Sequence, residues 1–322
     1  MRPAITCSLV NGVFGDPVMY ADLMFDRQAL LFDMGDLRAL PTRKLLRVAH
    51  AFVSHAHMDH FGDFDWLLRL LLGRETTLGL YGPPGFIDQV AHKLGAYTWN
   101  LIRSYAGQLV LAVTEVAGDG RLLHARFASA TAFMREDLPA TAGDVLLETP
   151  VLRVRCAVLD HGTPCLGFVL EETAHVNIWR NRLDARGLPV GPWLRELKQA
   201  ILRGAPDETM VGGQALGTVR DLAVVVPGQR IAYVTDVRFT DANAARIVAL
   251  ARDADVLFIE AGFLDADAAQ AARRNHLTAV QAGTLARRAG AKRLVPLHFS
   301  TRYSGQEAAL RAEAAQAHGV PA

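Results

Sequence analysis

Cysteine pairs, long apolar runs and a strong net charge are all missing from this sequence of 322 residues. The three cysteines, Cys7, Cys156 and Cys165, are too few and too scattered for a disulfide framework or a Cys-x-x-Cys metal site, so we expect free thiols. No apolar run reaches the length of a membrane span, and the first residues lack the charged and then apolar pattern of a secretory signal. These absences predict a cytoplasmic protein without a membrane partner.

The formal net charge of +1 neither demands nor excludes a nucleic acid as partner, because a local basic surface matters more than the total charge. Hydrophobic residues make up 51% of the chain, which is enough to bury a large core. One large domain and two tightly packed halves are both compatible with this composition.

A dense group of metal-binding side chains follows an apolar run that predicts a strand. Within Phe52–Asp63 the residues His55, His57, Asp59 and His60 place three imidazoles and one carboxylate in six positions. Alternate residues of an extended segment point to the same side, so His55 and His57 can bind one ion together. Asp59 and His60 follow where the chain turns toward a helix and are directed at a second position. The motif therefore predicts two adjacent sites for Zn²⁺ or a similar cation.

Three later donors each follow the end of a predicted strand: His161, Asp236 and His298. Donors at strand ends around one sheet edge are a recurrent geometry for ligand binding. A carboxylate is also a common bridge between two cations, which suits Asp236. Our assignment gives the first metal His55, His57 and His161, gives the second Asp59, His60 and His298, and places Asp236 between the two.

Two divalent ions held close together lower the pKa of a water molecule and stabilise negative charge on a phosphoryl or carbonyl oxygen, so the chemistry implied is hydrolysis. A proton must also reach the leaving group, and an imidazole is suited to that transfer near neutral pH. His276 is our candidate proton donor and Glu260, at the end of another predicted strand, is the candidate that orients it. The alternatives are a helix-start residue for His276 and a structural ion-pair partner for Glu260.

Strand, loop and helix patterns alternate through most of the chain, which predicts an α/β fold. The middle of the chain is expected to be mostly sheet, with one long strand over Val145–Leu159. Each half combines sheet and flanking helices, so we expect a four-layer αβ/βα sandwich and a single domain over residues 1–322. A less regular segment at about 171–218 contains Gly191-Pro192 and reads as an arm-like insertion.

The motif His-x-His-x-Asp-His resembles the signature of the metallo-β-lactamase superfamily, and the later motifs resemble the ribonuclease Z family. These are Asp160-His161, Tyr233 to Asp236, Glu260-Ala261-Gly262-Phe263, Asn275-His276-Leu277-Thr278 and Leu297 to Tyr303. The resemblance implies a metallo-β-lactamase fold and an endonuclease that removes 3′ trailers from precursor tRNA. It implies that the seven donors are the family's metal ligands, that Asp59 also helps to activate water, and that His276 donates the proton. Ser300 and Arg302 would then lie close to a substrate phosphate, and a homodimer is expected.

In the family, an arm between the third ligand and the bridging aspartate grips tRNA. The segment from His175 to Arg203 has six basic residues against the two acidic residues Asp184 and Glu196, a balance suited to a phosphate backbone. The alternative is a solvated basic surface without a partner. The possible RNA-binding residues are Arg180, Arg182, Arg186, Arg195, Lys198 and Arg203.

Other functions are compatible with the same donors. A small-molecule hydrolase of this fold would cleave a cyclic nucleotide, another phosphodiester, or a sulfate or carboxylic ester. The family's Gly-Thr-Gly-type opening is absent from residues 1 to 20, and this departure keeps the small-molecule alternative open. A non-catalytic binding subunit is disfavoured, because such a protein need not retain all seven donors. Zn²⁺ is the expected metal, with Mn²⁺, Co²⁺ or Fe as alternatives, since His and Asp accept all of them.

Overall fold

The structure is a computed structural model that describes residues 5–24 and 27–319. The chain forms two compact units. The first consists of Met1–Leu147, Val154–Leu170 and Arg230–Ala322, and the second of Glu148–Arg153 and Glu171–Gln229. The second unit thus includes the segment predicted to be an arm and extends beyond it at its C-terminal end.

The first unit begins with an eight-stranded sheet in which neighbours in space are neighbours in sequence. Its strands are β1 (Ile5–Leu9), β2 (Met19–Leu23), β3 (Ala29–Phe32), β4 (Val48–Phe52), β5 (Thr76–Gly82), β6 (Leu109–Val116), β7 (Arg121–Ala128) and β8 (Arg135–Ala142). The central strands β3 to β6 run parallel, whereas the outer pairs are antiparallel. Because β3 and β4 are parallel neighbours, the residues that follow both strands lie at one edge of the sheet.

The later strands are β9 (Val145–Glu148), β10 (Leu152–Asp160), β11 (Pro164–Glu172), β12 (His175–Ile178), β13 (Met210–Val211), β14 (Gln214–Ala215), β15 (Ala223–Val226), β16 (Arg230–Val234), β17 (Val256–Glu260) and β18 (Leu294–Leu297). Six of them form a second large sheet in the order β18-β17-β16-β11-β10-β9. Strands β16, β17 and β18 are parallel neighbours. Their carboxyl ends therefore meet at one edge and bring the residues that follow them together.

The helices are α1 (Thr42–Leu45), α2 (Met58–Phe61), α3 (Phe64–Leu71), α4 (Phe86–Gly95), α5 (Arg180–Ala185), α6 (Trp193–Leu202), α7 (Leu216–Val219), α8 (Asp241–Leu250), α9 (Ala268–Arg274), α10 (Ala279–Ala289) and α11 (Glu307–His318). Within the described residues, no helix combines the length and the apolar character that crossing a membrane requires.

Aromatic side chains fill the space between the two large sheets. Phe32 of β3 stacks on Phe52 of β4 with ring centroids 5.0 Å apart, and it also contacts Phe168 of β11 and Tyr233 of β16 at 5.7 and 5.8 Å. All four side chains are buried. Because side chains alternate along a strand, the opposite face of each sheet is left for helices.

Helices α3 and α4 cover the first sheet, and α8, α10 and α11 cover the second. Leu67 and Val90 are buried on the first sheet, whereas Ile247, Leu285 and Leu310 are buried on the second. The order of layers is helix, sheet, sheet, helix. The predicted four-layer αβ/βα sandwich is confirmed.

The long strand predicted over Val145–Leu159 is wrong, because the chain is interrupted between β9 and β10. Pro150 has no backbone N–H to offer a sheet. The hydroxyl of Thr149 instead accepts hydrogen bonds from the amides of Val151 and Leu152, at 3.3 and 3.1 Å. These bonds form a local turn and divide the segment into two strands.

Candidate metal centre

The first donors are presented by the loop that follows β4. The amide of Val53 donates to the carbonyl of Tyr81 over 2.8 Å, which holds the start of this loop against the end of β5. His57 keeps an extended backbone and precedes α2, and this short helix carries Asp59 and His60. His55 and His60 are fully buried, so their imidazoles point into the protein.

The other three donors come from the second sheet. Asp236 lies two residues beyond β16, and His298 directly follows β18. His161 lies in the tight turn between β10 and β11, where Gly162 has φ +85° and a Cβ at that glycine would lie 2.7 Å from the Asn275 amide nitrogen. Glycine is therefore required at this turn. Nδ1 of His161 donates a hydrogen bond of 2.8 Å to the carbonyl oxygen of Asn275.

The other six donor side chains lie around Asp236. Its Oδ2 lies 3.8 Å from His55 Nε2, 3.5 Å from His60 Nε2 and 3.5 Å from His161 Nε2, while its Oδ1 lies 3.0 Å from His298 Nε2. One set of potential ligand atoms, all within 4.8 Å of one another, is His55, His57, His161 and Asp236, and another is Asp59, His60 and His298. The structure thus brings together both predicted triplets, with the carboxylate of Asp236 between them.

The chemistry of the donors fits a pair of divalent cations. Nε2 of His60 is buried and has no hydrogen-bond partner among the described residues, although an unpartnered buried nitrogen is costly. Burial lowers the pKa of His55 to about 2, which keeps that imidazole neutral, the state in which it binds a metal. Burial opposes the charge on Asp236, but the imidazoliums of His298 and His60 hold its pKa well below the ordinary value. Bound cations would take over the role of these two positive charges.

Asp33 supports the metal centre and was missed by the sequence analysis. It is fully buried at the end of β3, and its Oδ1 accepts a hydrogen bond of 2.7 Å from the amide of Ser54. Its Oδ2 accepts from the Ser54 hydroxyl and the Tyr233 hydroxyl at 3.0 and 2.9 Å, and lies 3.0 Å from His60 Nδ1. Holding Nδ1 of His60 fixes the ring so that Nε2 faces Asp236. Such second partners orient ligands and tune their basicity.

His276 and Glu260 form a hydrogen-bonded pair beside the donors. Nδ1 of His276 donates to Oε2 of Glu260 over 3.0 Å, while Oε1 accepts from the amide of Val237 over 2.7 Å. Glu260 is fully buried, so both of its oxygens are held in place. Burial opposes a charge on His276, but the Glu260 carboxylate prevails and raises the pKa of His276 to about 9. The ring is therefore protonated at neutral pH and its Nε2 is left free to give up a proton.

A cavity of about 620 Å³ opens beside this pair. Asp59, His276 and His298 line it together with the two residues predicted to contact phosphate, Ser300 and Arg302. The Arg302 guanidinium is bound by the side-chain oxygen of Gln270 and lies 3.9 Å from the carboxylate of Asp267. Two of the candidate metal donors, the candidate proton donor and the two candidate phosphate contacts thus share one cleft.

The six candidate RNA-binding residues all belong to the second unit, where three of them bind other groups of that unit. Arg180 pairs with Asp184 at 2.9 Å, Arg182 donates to the carbonyl of Asp221, and Arg186 pairs with the Asp221 carboxylate at 2.6 Å. Acidic and basic residues balance over the whole unit. Arg195, Lys198 and Arg203 are exposed and have no polar partner among the described residues.

Comparison with known proteins identifies the class of protein to which this chain belongs. The four-layer sandwich and the donors around Asp236 define a metal-dependent hydrolase of the metallo-β-lactamase fold. Residues 209–299 match the Beta-lactamase superfamily domain. Two solved structures share the fold with a TM-score of 0.53: the short form of human tRNase Z, 18% identical over 93% of both chains, and the metallo-beta-lactamase fold protein YhfI from Bacillus subtilis, 16% identical over 97% of this chain and 92% of that one.

Curated relatives are more similar in sequence. Ribonuclease Z of Deinococcus radiodurans is 36% identical over 283 residues, which cover 85% of this chain and 83% of the relative. Ribonuclease BN of Proteus mirabilis is 31% identical over 90% of this chain and 85% of the relative. The chain belongs to the ribonuclease Z family, and the family predicted from the motifs is confirmed.

Proposed function

We propose that this protein is a binuclear metal-dependent endonuclease that removes 3′ trailers from precursor tRNA. The observation that supports this most is that the two sets of candidate metal donors around Asp236 adjoin the His276–Glu260 pair. Two divalent cations bound there would lower the pKa of a water molecule and stabilise the charge that develops on a phosphoryl oxygen. Zn²⁺ is the metal we propose, because nitrogen donors predominate in the set.

The side chains of the chain itself would handle the protons. His276 would give the proton on Nε2 to the leaving oxygen as the phosphorus–oxygen bond breaks, and Glu260 would stabilise the imidazolium before that transfer. Asp59 has a side chain that is 41% exposed, so it can reach the cleft and take a proton from the attacking water. Ser300 and Arg302 would hold a phosphate of the substrate from the wall of the cleft.

The second unit would bind the body of the RNA. Its unpaired cations Arg195, Lys198 and Arg203 lie on or directly after α6, and three such contacts would make binding strongly salt-dependent. Changing all three to glutamine should raise the KM for precursor tRNA without affecting a small diester. Arg180→Gln is the matched control, because the Arg180 charge is already paired with Asp184.

The proposal includes a homodimer and a cytoplasmic location. Tyr97, Leu101 and Tyr105 expose 46%, 66% and 48% of their surfaces within one short segment of the first unit, which supports association with a second copy. Light scattering coupled to gel filtration measures the mass in solution.

The balance of charge over the second unit favours one competing function, a small phosphodiester as substrate. The decisive experiment incubates the metal-loaded protein with an end-labelled precursor tRNA that has a short 3′ trailer, beside bis-p-nitrophenyl phosphate, with Asp236→Ala as the blank. A single cut near the discriminator base supports the proposal. Hydrolysis of the diester with intact tRNA would reject tRNA as the substrate and support the small-molecule function.

A further inference from the structure

The cleft beside the candidate metal centre is lined by aromatic, acidic and basic side chains. Phe14 and Asp16 lie on the loop between β1 and β2, whereas Arg274 ends α9 and Arg302 follows β18. The loop between β1 and β2 thus offers an aromatic ring and an acidic group to the cleft, and two other segments offer guanidinium groups. A nucleotide has the same division into an uncharged aromatic base and an anionic phosphate.

Among the arginines that the structure describes in this cleft, Arg274 is the one that is free to bind a ligand. It is exposed, lines the cavity and has no hydrogen-bond or ion-pair partner among the residues that the structure describes. Arg302 differs, because Gln270 and Asp267 already bind its guanidinium. Arg274 precedes the candidate proton donor His276 by two residues, and both line the cavity.

Phe14 lies on a loop that is held rigidly. The Asn11 side-chain amide donates to the carbonyls of Asp16 and Asp36, both at 2.8 Å, and the amide of Phe299 donates to the carbonyl of Val13 at 2.7 Å. Phe14 packs edge-on against Phe299 with ring centroids 5.6 Å apart, yet it is only half-buried and contributes to the cavity lining. A fixed and partly open aromatic ring is suited to stacking a base.

We propose that Phe14 and Arg274 form a nucleotide subsite in which a base of the RNA stacks on Phe14 and an adjoining phosphate pairs with Arg274. This inference rests on the proposed function, since it assumes a polynucleotide substrate. The acidic Asp16 on the same loop as Phe14 would disfavour phosphate there and could accept hydrogen bonds from base amino groups, which would fix the orientation. The subsite distinguishes a chain of nucleotides from a small diester, which has no flanking base or phosphate.

The test measures binding as well as cleavage. A fluorescein-labelled single-stranded pentaribonucleotide is titrated with the metal-loaded protein, the anisotropy gives Kd at several salt concentrations, and a gel checks that the RNA stays intact. Arg274→Gln should raise Kd about tenfold and reduce the slope of log Kd against log salt concentration by about 0.7. Arg274→Lys should recover most of the affinity, because it keeps the charge.

The matched control is Arg273→Gln. Arg273 is the exposed neighbour of Arg274 in the last turn of α9 but is not among the described residues that line the cavity, so its loss should leave Kd unchanged. Phe14→Leu keeps the packing against Phe299 and removes the stacking surface. It should weaken binding about five- to tenfold with no change in the salt dependence.

The outcomes separate the subsite from the proposed function. Equal Kd values for the Arg274→Gln and Arg273→Gln proteins, or wild-type protein that does not bind the pentanucleotide, would overturn the subsite. Wild-type protein that binds the pentanucleotide through Arg274 but leaves precursor tRNA uncut would support the subsite and reject tRNA processing. An unchanged metal content of the Arg274→Gln protein, measured by elemental analysis beside the wild-type protein, shows that its metal centre is intact.

Discussion

Replacing Glu260 by glutamine tests whether this carboxylate makes His276 a proton donor. The Glu260→Gln change keeps an oxygen for the hydrogen bond from the Val237 amide, removes the negative charge beside Nδ1 of His276, and replaces the oxygen that accepts from Nδ1 by an amide NH2 group. The raised pKa of about 9 means that His276 is protonated below that pH and loses its proton as the pH rises through it. Without the charge, the pKa should fall to the ordinary 6.5 or below, because burial and the charge on His60 lower it by more than the Asp236 carboxylate raises it.

The size of the effect follows from the fraction of protonated imidazole. At pH 8 about nine-tenths of His276 is protonated with a pKa near 9, and about one-thirtieth with a pKa near 6.5, so turnover should fall about thirty-fold. Bound cations would lower the pKa of His276 in both proteins. The test therefore compares the pKa of the variant with that of the wild-type protein. The loss should apply to precursor tRNA, which has an alkoxide leaving group, and not to bis-p-nitrophenyl phosphate, whose leaving group barely needs a proton.

The assay is a profile of kcat from pH 5.5 to 10 for both substrates with wild-type and variant protein. We expect the basic limb for precursor tRNA to move to lower pH in the variant, while the profile for the small diester stays where it is. A basic limb that stays in place, or equal losses with both substrates, would refute the proton-donor role of His276.

Two further predictions concern metal binding and stability. Asp33→Ala removes the group that holds His60 Nδ1 and should weaken metal binding about 10- to 100-fold in a chelator competition, and an unchanged affinity would rule out an orienting role for Asp33. Thr278→Ala removes the N-cap of α10. The Thr278 hydroxyl accepts a hydrogen bond from the Gln281 amide at 3.2 Å and donates one to Asp265 at 3.1 Å. It should cost about 1–2 kcal/mol in denaturant unfolding, and a change within the error of the fit would contradict the capping argument.

The donors could be grouped from sequence because the motif His55–His60 and each of the three later donors follow an apolar run that predicts a strand. His161, Asp236 and His298 are far apart in the chain, yet the rule that donors at strand ends meet at a sheet edge was enough to group them with the first motif. The family resemblance led to the same residues. What the sequence could not supply is the distances around Asp236, since these depend on how the two sheets pack.

Elements without a periodic apolar pattern were not predicted. Strand β8 is exposed along its whole length and has no buried face, so it pairs with β7 through its backbone without an alternating signature. Helix α11 consists largely of alanine, and only Leu310, Ala314 and His318 are buried. It packs so close to α10 that a Cβ at Gly283 would lie 2.2 Å from the carbonyl oxygen of Ala314. Contacts between small residues produce no clear period in the hydropathy of the sequence, so such a helix is not predicted from it.

Asp33 shows why a supporting residue is harder to find than a ligand. In the sequence Asp33 is one carboxylate at the end of a short apolar strand, and its neighbours form no motif that indicates a role for it. In the fold it receives hydrogen bonds from Ser54 on the first sheet and from Tyr233 on the second, and it also holds His60. A fully buried carboxylate is stable only when such donors surround it. The hydrogen bonds that stabilise the Asp33 carboxylate connect the first sheet to the second. Because Asp33 also holds His60, the arrangement of the candidate metal donors depends on the same contacts.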